Sequence, residues 1–272
     1  IFPPPTRHHV EVDGGLFHLG SPSFCRIRGC QILDTMTSKL APLFFDLDHT
    51  LWDFETNSRL ALRRGVKDLA LLSHGLASEQ EWIAHYEAAN DWCWAQFRAG
   101  EMTKSTLRAK RFAMAMEQCD MPENASLARQ LGEHYLDHSP YQTALIPGTL
   151  DMLECLASRG HAMWILTNGF EEVQHIKVEN SGLAGFFRGV YTSDALSVKK
   201  PNPEAYRRAA SLAKVEMDAG VIMIGDSLES DVLGAQAVGW RGVHFAPGLD
   251  AHPESWKTIE VLEQLKDLPL HV

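Results

Sequence analysis

The stretch Leu43-Phe44-Phe45-Asp46-Leu47-Asp48-His49-Thr50 decides how the rest of the chain is read. Three apolar residues followed at once by an acidic one form a short run of the kind buried on both faces of a parallel sheet. Runs of the same kind recur at Ala162–Thr167, Gly189–Thr192, Val221–Gly225 and Gly242–Phe245. Helical patterns lie between them. Leu150–Arg159 is stopped by Gly160, and Glu171–Asn180 by Ser181-Gly182. Pro203–Lys214 is capped by Asn202 with proline at the first helical position, and Leu228–Val238 is stopped by Gly239. Strands alternating with helices predict βαβ units, hence an α/β fold around a parallel sheet.

One stretch interrupts the alternation. Residues 54–140 carry helical periodicity and no convincing strand, so they are expected to form an all-helical insert after the first strand. Pro140 and Pro147-Gly148 mark the return, which assigns residues 36–53 and 141–272 to the α/β core. Trp82, Tyr86, Trp92, Trp94 and Phe97 are expected to form the insert's own core. Trp52 and Phe54 stand where the chain enters the insert, and two readings stay open: packing of the hinge, or stacking on a flat ligand. Residues 1–35 contain Pro3-Pro4-Pro5, His8-His9 and Gly14-Gly15 without any period. They are expected to be a non-native or disordered extension, with Met36 as the natural start.

Composition narrows the function classes. The 272 residues are 45% hydrophobic, ample for a packed core, and the net charge is −10 from 35 acidic and 25 basic residues. Such a chain has no surplus of cations to replace phosphate counterions, which argues against a nucleic acid polymer as partner. No apolar run approaches the ~18 residues of a membrane span. The five cysteines are odd in number and never at CxxC spacing, so a reduced, cytoplasmic protein is expected. His8-His9, and His134 with His138 four residues on, read as surface histidines because no metal-site frame surrounds them.

Four segments carry chemistry, each at the C-terminal end of an expected strand, where open parallel sheets bind ligands. They are Asp46-Leu47-Asp48-His49-Thr50, Thr167-Asn168-Gly169, Lys200-Pro201-Asn202-Pro203, and Gly225-Asp226-Ser227 with Asp231 beyond it. Any one of them alone reads as a cap or a turn. Together, Asp46, Asp48 and Asp226 bring up to three negative charges, and a phosphate monoester would add nearly two. Each like-charge pair ~4 Å apart costs about 4 kcal/mol at an effective dielectric near 20. Lys200 alone cannot offset that, whereas a hard divalent cation such as Mg²⁺ can.

The set Phe-Phe-Asp-Leu-Asp-His-Thr-Leu, Ile-Leu-Thr-Asn-Gly-Phe, Lys-Lys-Pro-Asn-Pro-Glu and Ile-Gly-Asp-Ser-Leu-Glu-Ser-Asp-Val-Leu-Gly-Ala resembles the four motifs of the haloacid dehalogenase (HAD) superfamily. The likeness spans residues from about 42 to 250, and the insert resembles that superfamily's C1-type cap on a Rossmann-like core. Leu51-Trp-Asp-Phe54, Thr167-Asn-Gly-Phe170 and Glu229-Ser-Asp231 are similar to the pyrimidine 5′-nucleotidase (YjjG-like) branch. The resemblance implies a phosphatase in which Asp46 attacks phosphorus and Asp48 is general acid, then base. It implies that Thr167 and Lys200 hold the substrate's phosphoryl oxygens, assisted by backbone N–H groups near Leu47, Asp48 and Asn168, and that Lys199, which does not directly precede the proline, is the weaker candidate for the cation. It implies Mg²⁺, with Mn²⁺ as a substitute, on the Asp46 carboxylate, the Asp48 backbone carbonyl and Asp226, while Asp231 orients Lys200 or a metal water. The implied partner is a small phosphate ester, the chain acting as monomer or homodimer. Competing readings are a sugar-phosphate phosphatase, such as one for acylneuraminate 9-phosphate or phosphoglycolate, a phosphomutase, and a metal-free 2-haloacid dehalogenase. The last lacks the second acid that Asp48 supplies.

Overall fold

A computed structural model describes residues 39–217 and 220–272. The expectation for residues 1–35, with His8 and His9, lies outside the described residues. The strands β1 (Leu43–Phe45), β2 (Met163–Thr167), β3 (Val190–Thr192), β4 (Ile222–Gly225), β5 (Arg241–Phe245) and β6 (Lys257–Ile259) form one sheet in the order β3-β2-β1-β4-β5-β6. Every pairing is parallel; Phe45, for example, stands opposite Ile165 on one side and Ile224 on the other. The chain builds outward from β1 in one direction, then returns to build outward from it in the other. That reversal leaves a crevice at the C-terminal ends of β1 and β4, the usual ligand position in doubly wound sheets.

The period-2 geometry of a strand explains why these runs are apolar throughout. Leu43, Phe45, Ile165, Ile222 and Ile224 face one layer, with α5 (Thr149–Ser158) supplying Met152, Leu153 and Leu156. Phe44, Trp164, Leu166 and Met223 face the other, against Ala205, Tyr206 and Ala209 of α8 (Pro203–Ala213). Helix α6 (Glu171–Asn180) follows β2, and the short α7 (Ser193–Leu196) follows β3. The expected helix over Leu228–Val238 differs in kind: Leu228–Leu233 is a π-helix that passes into an α-turn at Gly234–Gln236. Its wider turns begin at Ser227, whose hydroxyl accepts from the Ser230 N–H at 3.1 Å.

Four helices form the insert between β1 and α5: α1 (Phe54–Asp68), α2 (Glu79–Ala99), α3 (Lys104–Gln118) and α4 (Ala125–His138). Asp53, Ser78, Thr103 and Asn124 cap their N-termini with side-chain oxygens. Their shared core includes Leu62, Trp82, Tyr86, Phe112, Leu131 and Tyr135. The expected aromatic set therefore divides. Trp82 and Tyr86 are core, Trp92 is 43% exposed, and Trp94 and Phe97 leave the insert to pack on Phe170 of the sheet domain, at centroid distances of 5.1 and 5.5 Å. Helix rotation decides this, since successive residues on α2 point about 100° apart. Among the described residues, no helix is long and apolar enough to cross a membrane.

Trp52 settles one open reading. It is fully buried and donates from Nε1 to the Gln142 carbonyl at 3.1 Å, tying the strand that enters the insert to the one that leaves it. It is a hinge residue and cannot stack on a ligand. Trp52→Ala should cost about 3–5 kcal/mol of stability, measured by urea unfolding. A loss under about 1 kcal/mol would mean that the hinge does not depend on it.

Candidate active site

The chain leaves β1 at Asp46 and turns at once. The Leu47 carbonyl accepts from the N–H groups of Leu51 and Trp52, both at 2.9 Å, and His49 adopts a left-handed conformation with φ of 61°. This tight turn keeps Asp46, Asp48 and Thr50 at the strand end. From β4, Asp226 arrives beside them and exchanges two hydrogen bonds with Thr50. Its N–H donates to the threonine hydroxyl at 3.0 Å, and the hydroxyl donates to its carboxylate at 3.1 Å. Asp46, Asp226 and Asp231 each bring a carboxylate oxygen within 4.8 Å of the others.

One buried ammonium serves this cluster. Lys200 Nζ donates to Asp46 Oδ1 at 2.8 Å and to Asp231 Oδ1 at 2.5 Å. Asp231 also accepts from the Ser227 N–H at 3.0 Å, which leaves its carboxylate fully employed. A β-carbon on Gly225 would strike the Asp231 carboxylate, so only glycine lets that group come so close to the strand. The Asn168 side chain braces the lysine from behind: Nδ2 donates to the Lys200 carbonyl at 2.9 Å, and Oδ1 accepts its N–H at 2.8 Å. The side-chain amide of Asn168 is thus engaged on Lys200, and the contact expected from Asn168 to substrate is one through its backbone N–H. Lys199 points elsewhere; its Nζ donates to the Phe97 carbonyl and lies 4.0 Å from the Phe97 ring centre.

Burial and crowding set the charge states. Burial lifts the Asp46 carboxyl to about 6, opposed by Lys200 and reinforced by Asp231. Burial also raises Asp231, and burial followed by the charge of Asp46 raises Asp226. Burial works against the Lys200 ammonium, but Asp231 and Asp46 outweigh it and keep its proton on. Three carboxylates sharing one lysine hold their protons more tightly than an isolated acid would.

Asp48 lies in a different environment. Lys177 Nζ donates to its Oδ1 at 2.5 Å, and Gln174 Nε2 donates to its Oδ2 at 2.8 Å. Burial would raise this carboxyl, but the Lys177 charge and these two hydrogen bonds prevail and hold it below the usual range. Lys177 is itself buried, 4.0 Å from the Trp52 ring centre. Gln174 also donates to Thr167 Oγ1 at 3.0 Å, and Gly169 N–H donates to the same oxygen at 3.1 Å. With two donors on its oxygen, Thr167 has its own proton left to offer to a ligand.

Gln174 and Lys177 are functional neighbours that motif reading misses. Their i, i+3 spacing on α6, directly after Thr167-Asn168-Gly169, is a signal that would have found them. The cavity over Asp46, about 210 Å³, is walled on the opposite side by Asn90, Asp91, Trp94 and Arg98 of α2, with Phe54 and His49 at its rim. Only packing brings these cap residues to the strand ends. His134 and His138 lie away from this cavity, His134 pairing with Asp68 at 3.0 Å.

The family model for haloacid dehalogenase-like hydrolases matches residues 43–239. The chain is 28% identical over 220 residues to the pyrimidine 5′-nucleotidase PynA of Streptococcus pneumoniae, spanning 80% of this chain and 90% of that one. It is 28% identical over 231 residues to the pyrimidine 5′-nucleotidase YjjG of Escherichia coli, spanning 83% and 96%. The magnesium-bound crystal structure of Bacillus subtilis YfnB superposes with a TM-score of 0.74 at 26% identity, covering 84% of this chain and 98% of that chain.

Replacing the shared cation tests the electrostatics directly. Lys200→Met leaves three carboxylates facing one another, and the expected loss of unfolding free energy at neutral pH in metal-free buffer is about 3–5 kcal/mol. Urea titration reads it. A variant as stable as the parent would show that the ammonium is not what holds the cluster.

Proposed function

The chain belongs to the haloacid dehalogenase-like hydrolases, and from that premise we propose that it is a Mg²⁺-dependent phosphomonoesterase working through an aspartyl-phosphate, with pyrimidine nucleoside 5′-monophosphates as substrates. The observation that carries the reading is the Asp46 carboxylate. It stands at the strand end, held on one oxygen by Lys200 with Asp226 alongside, in a cavity that the helical insert also lines.

The residues fit a hard divalent cation. Asp46 and Asp226 offer carboxylate oxygens close together, and burial with mutual repulsion raises both carboxyls where one lysine is the cation at hand. The Asp46 carboxylate, the Asp48 backbone carbonyl and Asp226 would hold Mg²⁺, or Mn²⁺ in its place. When bound, the ion supplies the positive charge that lets these acids stay ionised beside a dianionic ester.

The protein's own groups then divide the work. Asp46 attacks phosphorus as the ester's alcohol departs, which splits one difficult displacement into two easier ones. The Lys200 ammonium and the Thr167 hydroxyl proton lie where charge gathers on the phosphoryl oxygens. Asp231 is a positioning residue that fixes the Lys200 head. Asp48 is held ionised by Lys177 in this conformation, so service as general acid requires its carboxyl to turn from Lys177 towards the leaving oxygen and arrive protonated. As a base for the hydrolytic water it needs no such change. Asp48 and the carboxylate excess both argue against halide displacement, which needs neither a second acid nor a metal.

The nucleotide assignment is supported by the PynA and YjjG relatives and by the aromatic residues Phe54 and Trp94 on the cavity wall. A phosphate-release screen tests it. UMP, dUMP and TMP should exceed every sugar phosphate in kcat/KM; sugar phosphates better by about tenfold, some 1.4 kcal/mol of transition-state preference, would transfer the assignment to them.

Two further outcomes test the chemistry. Asp46→Asn should reduce turnover to the background while the circular dichroism spectrum is unchanged, because an amide is a far weaker nucleophile. EDTA should abolish activity and added Mg²⁺ restore it. Full activity in EDTA would remove the metal from the mechanism.

A further inference from the structure

Helix α3 places a cation in the insert that no carboxylate among the described residues matches. Arg111 is 5% exposed, and its hydrogen bond within the described residues runs from Nη1 to Asn90 Oδ1 at 2.8 Å. Its Nε has no partner, and no carboxylate among the described residues pairs with it. The rings of Tyr135, Phe112 and Tyr86 surround the guanidinium at 4.9, 5.3 and 5.5 Å from their centres. Aromatic faces offset part of the cost of burying a charge, but they accept none of its N–H groups in good geometry. A buried arginine left with unmade hydrogen bonds is expensive, and the cost is recovered when an acceptor arrives.

The position says where that acceptor would come from. Arg111 lines a small recess of about 50 Å³ between insert and core, together with Asp48, Lys177, Phe54, Trp94 and Gly169. Asn90 lines the larger cavity over Asp46, and the two spaces share Asp48, Phe54, Trp94 and Gly169. Arginine can only donate, so the 2.8 Å contact fixes Asn90 with its oxygen towards the guanidinium and leaves Nδ2 as what it can offer. Both residues thus present donors. Of the charged groups lining the recess, Lys177 is already paired with Asp48 at 2.5 Å, which leaves the Arg111 donors to an incoming acceptor. A neutral acceptor on a flat ring suits the aromatic walls and the small recess.

We propose that Arg111 and Asn90 form the subsite for a ring carbonyl oxygen of the leaving group, with Phe54 and Trp94 as its flat walls. Resting on the nucleotide reading above, that oxygen is the pyrimidine O2, which uracil, thymine and cytosine have in common. Arg111 is then a specificity residue, acting on the base and not on phosphorus.

The test compares UMP with ribose 5-phosphate, which is the same ester without the base. In the parent, UMP should have the higher kcat/KM. Arg111→Met should lower the ratio of UMP to ribose 5-phosphate by about tenfold to a hundredfold, as for a lost buried hydrogen-bonding partner. Its thermal midpoint should fall by no more than about 2 °C, since the charge it removes has no carboxylate partner. Arg111→Lys, which keeps the charge but not the fork, gives the same comparison should the methionine variant fold poorly. A ratio that stays constant while both substrates slow together would overturn the Arg111 assignment and leave the nucleotide reading standing. Ribose 5-phosphate turned over as well as UMP by the parent would overturn the nucleotide reading, and the subsite with it.

Discussion

The ammonium of Lys200 is the point at which the strand ends meet. It is almost wholly buried and spans Asp46 after β1 and Asp231 in the π-helix after β4, while Asn168 after β2 grips its backbone on both sides. Four segments distant in sequence therefore share one charge. Burying a lysine is costly unless both its charge and its hydrogen bonds are met. Here they are met by groups that would themselves be costly without it. Removing any member strands the others, so the geometry at Asp46 is tied to the geometry of the whole sheet edge. Tyr206 adds to this from α8 by donating to the Ser230 carbonyl, which fixes the turn that carries Asp231.

The insert is joined to the core by contacts of a different quality. Lys104 reaches Glu172 at 2.8 Å and Asp194 at 2.6 Å, and Arg108 also pairs with Glu172, yet these groups are partly exposed. Exposed ion pairs contribute about 0–1 kcal/mol each, far less than a buried network. The apolar share of the junction is a small cluster in which Cys93, Trp94, Phe97 and Leu107 of the insert pack with Phe170 and Val173. An interface built this way separates at much lower cost than the sheet edge does, and it separates along the line where the cavity lies. A substrate can enter between two bodies, each with its own apolar core.

Most of the sheet was legible because a strand buried on both faces must be apolar throughout, and Leu43–Phe45, Met163–Thr167 and Ile222–Gly225 are close to that. Strand β6 was not, since Lys257 is exposed, Thr258 half-buried, and only Ile259 fully buried at the sheet edge. The π-helix reads as an α-helix because both place apolar residues at similar intervals over so short a span. Asp46, Asp48, Asp226 and Asp231 could be found because they follow β1 and β4 closely, Thr167 because it ends β2, and Lys200 because it stands just ahead of the proline-led helix α8. Trp52 and Phe54 are two residues apart, and no pattern says that the first is buried against Gln142 while the second reaches the cavity.

The contrast between what could and could not be read follows from how each group is placed. In the core, the backbone places the chemistry: a strand ends, a turn closes, a glycine admits a carboxylate, and the residue at that position has one direction to point. In the insert, side chains are placed by helix rotation and by packing among α1 to α4. Asn90, Trp94 and Arg98 share a wall because they lie four apart on α2. Arg111 meets them only because Phe112, Tyr86 and Tyr135 pack α3 against α2 in one register. Positions set by backbone turns leave motifs, whereas positions set by packing leave only composition. The core's short segments are therefore legible in the sequence, whereas the residues by which the insert lines the cavity are placed by packing.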